Sequence, residues 1–166
     1  SIGNSGYTFM GTGRATSGTG GDIDVVVGTG DSGDGGNVYV TAGESTQAAK
    51  AGGFVQIIGG HGSYGDGSDN GGDGGSVYIY GGEAGGGASY DVGGNIEGYG
   101  GLAAAGSGGS IMLNAGFGAA TSSGFVSLET ANAGIEGVSG SIAFRTGTSS
   151  SGDTGYFSVQ TGSATN

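Results

Sequence analysis

A chain of 166 residues with 47 glycines, no proline and no cysteine is not collagen, which needs proline and a glycine at every third position. It also has no means of forming a disulfide or a thiolate-held metal site. Its net charge of −11, with Arg14, Lys50 and Arg145 as the only strong cations, leaves no basic patch for nucleic acid or for an anionic membrane surface, and no stretch approaches the ~20 apolar residues of a membrane span.

Ten anchor glycines organise the sequence: Gly6, Gly21, Gly36, Gly53, Gly75, Gly94, Gly109, Gly124, Gly140 and Gly155, separated by 15, 15, 17, 22, 19, 15, 15, 16 and 15 residues. A fixed period of this size predicts a stacked-repeat architecture. Counting from each anchor, position +2 is Thr8, Ile23, Val38, Val55, Val77, Ile96, Ile111, Val126, Ile142 or Phe157. Position +4 is Met10, Val25, Val40, Ile57, Ile79, Gly98, Leu113, Leu128, Phe144 or Val159. Alternation with a period of two, rich in β-branched residues, predicts a short strand with one buried face. Position +7 is glycine except at Ala131, and position +9 is always small, as at Ala103. These columns predict a tight turn and a return segment pressed against the Val/Ile face. An up-and-down meander gives similar strand signals but reverses every second strand, so the unchanging reading of each repeat favours parallel stacking. The expected fold is therefore all-β: a thin Gly-rich β-solenoid (β-helix) of about ten coils with a modal 15-residue repeat, forming a single segment over residues 1–166.

In chain order, the first repeat sets outward-facing Tyr7 and Phe9 around Thr8 and Met10. The second ends in Gly28-Thr29-Gly30-Asp31-Ser32-Gly33, which spells the dinucleotide fingerprint G-x-G-x-x-G. That fingerprint requires a helix next, and Asn37-Val38-Tyr39-Val40 reads as another strand, so no nucleotide site is expected. The third repeat adds Tyr39 to the outward face, and its loop, with those of the next two repeats, is lengthened (Gln47–Ala51, His61–Asp73 and Glu83–Val92). The loop between Gly60 and Gly74 carries His61, Ser63, Asp66, Asp69, Asn70 and Asp73. Asp66, Asp69 and Asp73 are candidate Ca²⁺ ligands, since Ca²⁺ takes hard oxygens, although the spacing is not that of an EF-hand. A catalytic triad spelled from the same letters lacks a rigid support. Tyr78 and Tyr80 in the fifth repeat and Tyr99 in the sixth join Tyr39 as candidate surface-contact residues, because exposed aromatic patches mark partner contacts and sugar stacking.

The ends match. Gly6-Tyr7 and Ala15-Thr16 recur as Gly155-Tyr156 and Ala164-Thr165 at an offset of 149 residues, so the chain is expected to be one super-repeat, plus overlap, of a longer array. Stretches such as Gly28–Val40, Thr130–Ser139 and Gly147–Thr154 resemble the Gly/Ser/Thr-rich tandem repeats of very large secreted or cell-surface proteins in diatoms and related algae. The resemblance spans essentially the whole chain and implies an extracellular structural or adhesive role. The expected function is that of a filament, tether or adhesive fibre and not of an enzyme. Its partner would be itself, end to end and laterally, along with extracellular polysaccharide, and no cofactor is expected beyond the candidate Ca²⁺. The rival expectation is an ice- or carbohydrate-binding module on the same scaffold. The outward columns carry no regular Thr-x-Thr array of the kind ice binding uses.

Overall fold

The computed structural model describes residues 3, 5–63 and 71–164. Their backbone is held by loop closures at the repeat boundaries. Five consecutive anchor glycines donate their N–H to the carbonyl of the +7 glycine of the repeat before: Gly53 to Gly43, Gly75 to Gly60, Gly94 to Gly82 and Gly109 to Gly101 at 2.8 Å, and Gly124 to Gly116 at 3.0 Å. At the remaining boundaries the anchor faces the +6 side chain instead. Gly21 faces Thr12, Gly36 faces Val27, Gly140 faces Thr130 and Gly155 faces Thr146. Thr130 Oγ1 also donates to the Gly140 carbonyl at 3.2 Å.

The register across each closure shows which way the chain runs. Gly59 lies against Gly75 and Ser76, Gly60 against Gly75, and Gly62 against Gly72 and Asp73. Residue numbers rise on one side as they fall on the other. Gly81 and Gly82 meet Asn95 and Gly94 in the same sense, as Gly100 and Gly101 meet Gly109 and Gly108. The chain doubles back at each boundary, in the manner of a hairpin. Coils of a parallel solenoid would instead set each residue beside its equivalent one repeat later, with both running in the same direction.

The expected β-solenoid is thus not the fold. Among the described residues there is no strand and no helix, and the backbone makes eight hydrogen bonds with itself. A folded protein makes about one hydrogen bond per residue, some two-thirds of them backbone to backbone. Each of the five hydrogen-bonded closures is one bond at the base of a loop and does not propagate into a ladder. Nor is there a core: no described side chain is buried, and the accessible surface is 16637 Å². A globular chain of 15.5 kDa would expose roughly 7,200 Å². The +9 column follows suit, since Ala103 is exposed where the small-residue column predicted close packing.

The two-residue alternation leaves a trace at position +2 but not at +4, where Val40 and Val159 are 73% and 80% exposed. Position +2 ranges from 47% exposed at Val77 to 68% at Phe157, while the outward aromatics run from 73% at Tyr78 to 93% at Tyr7. One pair of runs brings its apolar columns into contact: Phe144 and Phe157 stack at 5.8 Å between ring centroids and 22° between planes. These two are opposite one another in the register set by Thr146 against Gly155. A doubling-back chain therefore places +4 of one run beside +2 of the next.

The described contacts gather into two units, Ser1–Tyr80 and Gly81–Asn166, and each contains the same kind of loop closure. All five seven-residue loops bend at one place, residues 16–18, 31–33, 104–106, 119–121 and 150–152. Gly33 and Gly152 end two of these bends at φ 125° and 100°, a region that L side chains rarely enter. In the longer loop after Gly43, Lys50 N–H reaches the Gln47 carbonyl at 3.3 Å, and Ala49 adopts φ 59° to allow it.

Candidate functional site

Side chains two residues apart on an extended run stand on one face about 7 Å from each other, close enough for long side chains to touch. The outward positions use this spacing in three runs. Asn37 Nδ2 donates to the Tyr39 hydroxyl oxygen at 3.1 Å. The rings of Tyr78 and Tyr80 lie 6.0 Å apart with planes 15° from parallel. In the third run, Asn95, Glu97 and Tyr99 form a continuous polar row. Asn95 Nδ2 donates to Glu97 Oε1 at 3.5 Å, and the Tyr99 hydroxyl donates to Glu97 Oε2 at 2.6 Å.

The last bond has the short length of a hydroxyl held by a carboxylate. Losing the phenol proton would forfeit it, so the Tyr99 pKa is raised above the ordinary tyrosine value, with the Glu97 bond as the leading cause and desolvation second. Tyr99 remains 83% exposed and open to a reagent from solution.

The structure divides the four tyrosines singled out from sequence. Tyr39, Tyr78 and Tyr80 belong to the first unit and Tyr99 to the second. All four are exposed, and only Tyr78 and Tyr80 touch through their rings. The candidate Ca²⁺ ligands Asp66 and Asp69 lie outside the described residues. The third, Asp73, is exposed and borders the antiparallel approach of Gly62. Among the described residues, no three His, Cys, Asp or Glu side chains gather as a metal-binding group. No described helix is long and apolar enough to cross a membrane.

Two acidic residues acquire partners that the sequence reading did not assign. Asp91 Oδ2 accepts the Ala88 N–H at 3.1 Å while its own N–H donates to the Ala88 carbonyl at 3.0 Å, closing the turn of the loop after Gly82. Glu97 is the more consequential. It sits at +3 between an amide at +1 and a phenol at +5, and that alternation was the available signal. Comparison of the chain with protein-family models, curated proteins and solved structures finds no match.

Proposed function

We propose that this chain works as an extracellular structural strand, a tether or adhesive fibre whose repeats are each closed off by a loop. The observation that carries this reading is the recurrence of one closure, anchor glycine against the +6 or +7 position, at every repeat boundary, together with apolar columns that the chain leaves uncovered. Such columns are best covered by more of the same sequence, because every repeat offers the same spacing. The acidic surface keeps single chains soluble until they meet. The partner of the strand is accordingly a second copy of itself, with extracellular polysaccharide as a further contact.

The reading is tested by light scattering and electron microscopy of the purified chain over a range of concentrations. Elongated assemblies that grow with concentration are expected. Discrete monomers at all concentrations, binding polysaccharide or ice crystals, would replace the structural reading with a binding module.

A further inference from the structure

We infer that Tyr99 is a site of one-electron oxidation and carbon–carbon coupling to a tyrosine of a second copy of this chain, with Glu97 as the acceptor of the phenol proton. The choice of a second copy rests on the structural reading above; the choice of Tyr99 does not.

The argument begins with the cross-linking chemistry this composition allows. There is no cysteine, so thiol coupling is absent, and Lys50 is the single lysine, so lysine-based linkage has almost no material. Tyrosine is the remaining side chain that couples readily, and there are eight. Every described one lies on the surface. Exposure alone therefore does not distinguish them.

Proton disposal does. Removing an electron from a phenol makes its proton strongly acidic, so oxidation is easiest where a base already holds that proton. A group taking up a proton must lie within hydrogen-bond reach, and Glu97 Oε2 is 2.6 Å from the Tyr99 hydroxyl. Asn95 supports the carboxylate from its other oxygen. Tyr39 has the opposite arrangement, since its oxygen accepts a hydrogen bond from Asn37, which steadies the neutral phenol. Tyr78 and Tyr80 have each other's rings and, among the described residues, no carboxylate in hydrogen bond. No described aromatic ring stacks against Tyr99, so among the described residues no ring covers the face it would offer to a tyrosine of another molecule.

The step balances with hydrogen peroxide as oxidant, activated by a haem peroxidase. Each of two tyrosines loses one electron and one proton, and at Tyr99 the proton passes to Glu97, which releases it to water. The two phenoxyl radicals join through the ring carbons ortho to oxygen. The hydrogens on those carbons then move to the oxygens and restore both phenols. Two electrons and two protons have left, and they reduce one hydrogen peroxide to two waters.

The test treats the full chain, and its Glu97→Gln and Tyr99→Phe variants, with haem peroxidase and hydrogen peroxide. Dityrosine fluorescence, denaturing electrophoresis and peptide mass mapping read the products. We expect covalent dimers in which Tyr99 is the most frequent coupled residue. Glu97→Gln should cut the share of Tyr99 severalfold without changing the order of the other tyrosines, and Tyr99→Phe should lower the yield of dimer. A parallel absorbance titration checks the hydrogen bond, because Glu97→Gln should return Tyr99 to the ordinary tyrosine range. Equal use of all exposed tyrosines, or a share of Tyr99 indifferent to Glu97→Gln, would overturn the assignment. Dityrosine confined to single chains would overturn the second-copy half while leaving Tyr99 as the oxidised site.

Discussion

At Gly100 a side chain has nowhere to go, because a Cβ there would run into the Gly109 carbonyl. Two residues earlier, Gly98 opens onto free space in a column where every other repeat carries a large apolar residue, valine among them. Gly100→Val is expected to break the closure between Gly109 and Gly101, seen as faster hydrogen exchange of the Gly109 amide in NMR, and Gly98→Val to leave the exchange rate of that amide unchanged. Ala49 presents the converse case. Its left-handed backbone costs an L residue about 1–2 kcal/mol, so Ala49→Gly should slow exchange at Gly53, the amide that closes that loop, despite the extra freedom glycine brings to the open chain. The Tyr99–Glu97 bond has a definite pH direction. A phenol whose pKa is raised keeps its bond fully below the ordinary tyrosine value, about 10, and loses it as pH climbs through the raised value. The absorbance titration described above should thus show Tyr99 ionising above the ordinary tyrosine value, at a pH that Glu97→Gln lowers.

The loop is the element this chain builds most consistently, and its ends were legible in the sequence while its direction was not. Gly43 and Gly53, or Gly101 and Gly109, stand out as fixed points of the repeat, and each pair closes. Direction was hidden because the motif reads the same both ways. Reversing a run about position +3 exchanges +2 with +4, so Val38 and Val40, or Ile142 and Phe144, present the same face in either orientation. The unchanging reading of the repeats was therefore no argument for parallel stacking. The stack of Phe144 on Phe157 is a side-chain contact that agrees with the reversal seen in the glycine registers. Removing it with Phe144→Ala should cost about 0.5–1.5 kcal/mol of local pairing, seen as loss of ring-current shifts on Phe157. The column of small residues at +9 misled in another way. Small side chains also suit an exposed loop, and Ala103 lies in one, so Ala103→Phe should leave the circular dichroism spectrum unchanged. Of the candidate site, the tyrosines were visible as outward positions. The link between Tyr99 and Glu97 was not, because it depends on rotamers that alternation alone does not specify.

Over the molecule as a whole, the alternating pattern sorts residues by face without burying either face. Val77, among the least exposed of its column, still shows 47% of its surface. Replacing it with aspartate should barely alter the isolated chain, since little apolar burial is lost. The same substitution should raise the concentration at which chains assemble, because a charge would then enter the covered face. Ser76→Asp, on the outward side, should leave both properties alone. Light scattering of the three proteins side by side decides this, and equal behaviour of the two variants in assembly would sink the distinction between faces.

The closures also store length. The amide of Gly109 and the carbonyl of Gly101 lie 2.8 Å apart, yet the residues joining them, drawn straight, span roughly 25 Å. Pulling on the chain would release that slack one loop at a time, the five hydrogen-bonded loops each yielding when a single bond parts, and so spread a sudden load over several small extensions. Re-forming is quick, since ends separated by about ten residues find each other in roughly 10–100 ns. On the structural reading proposed above, such a strand would yield under tension and recoil without having to refold a core.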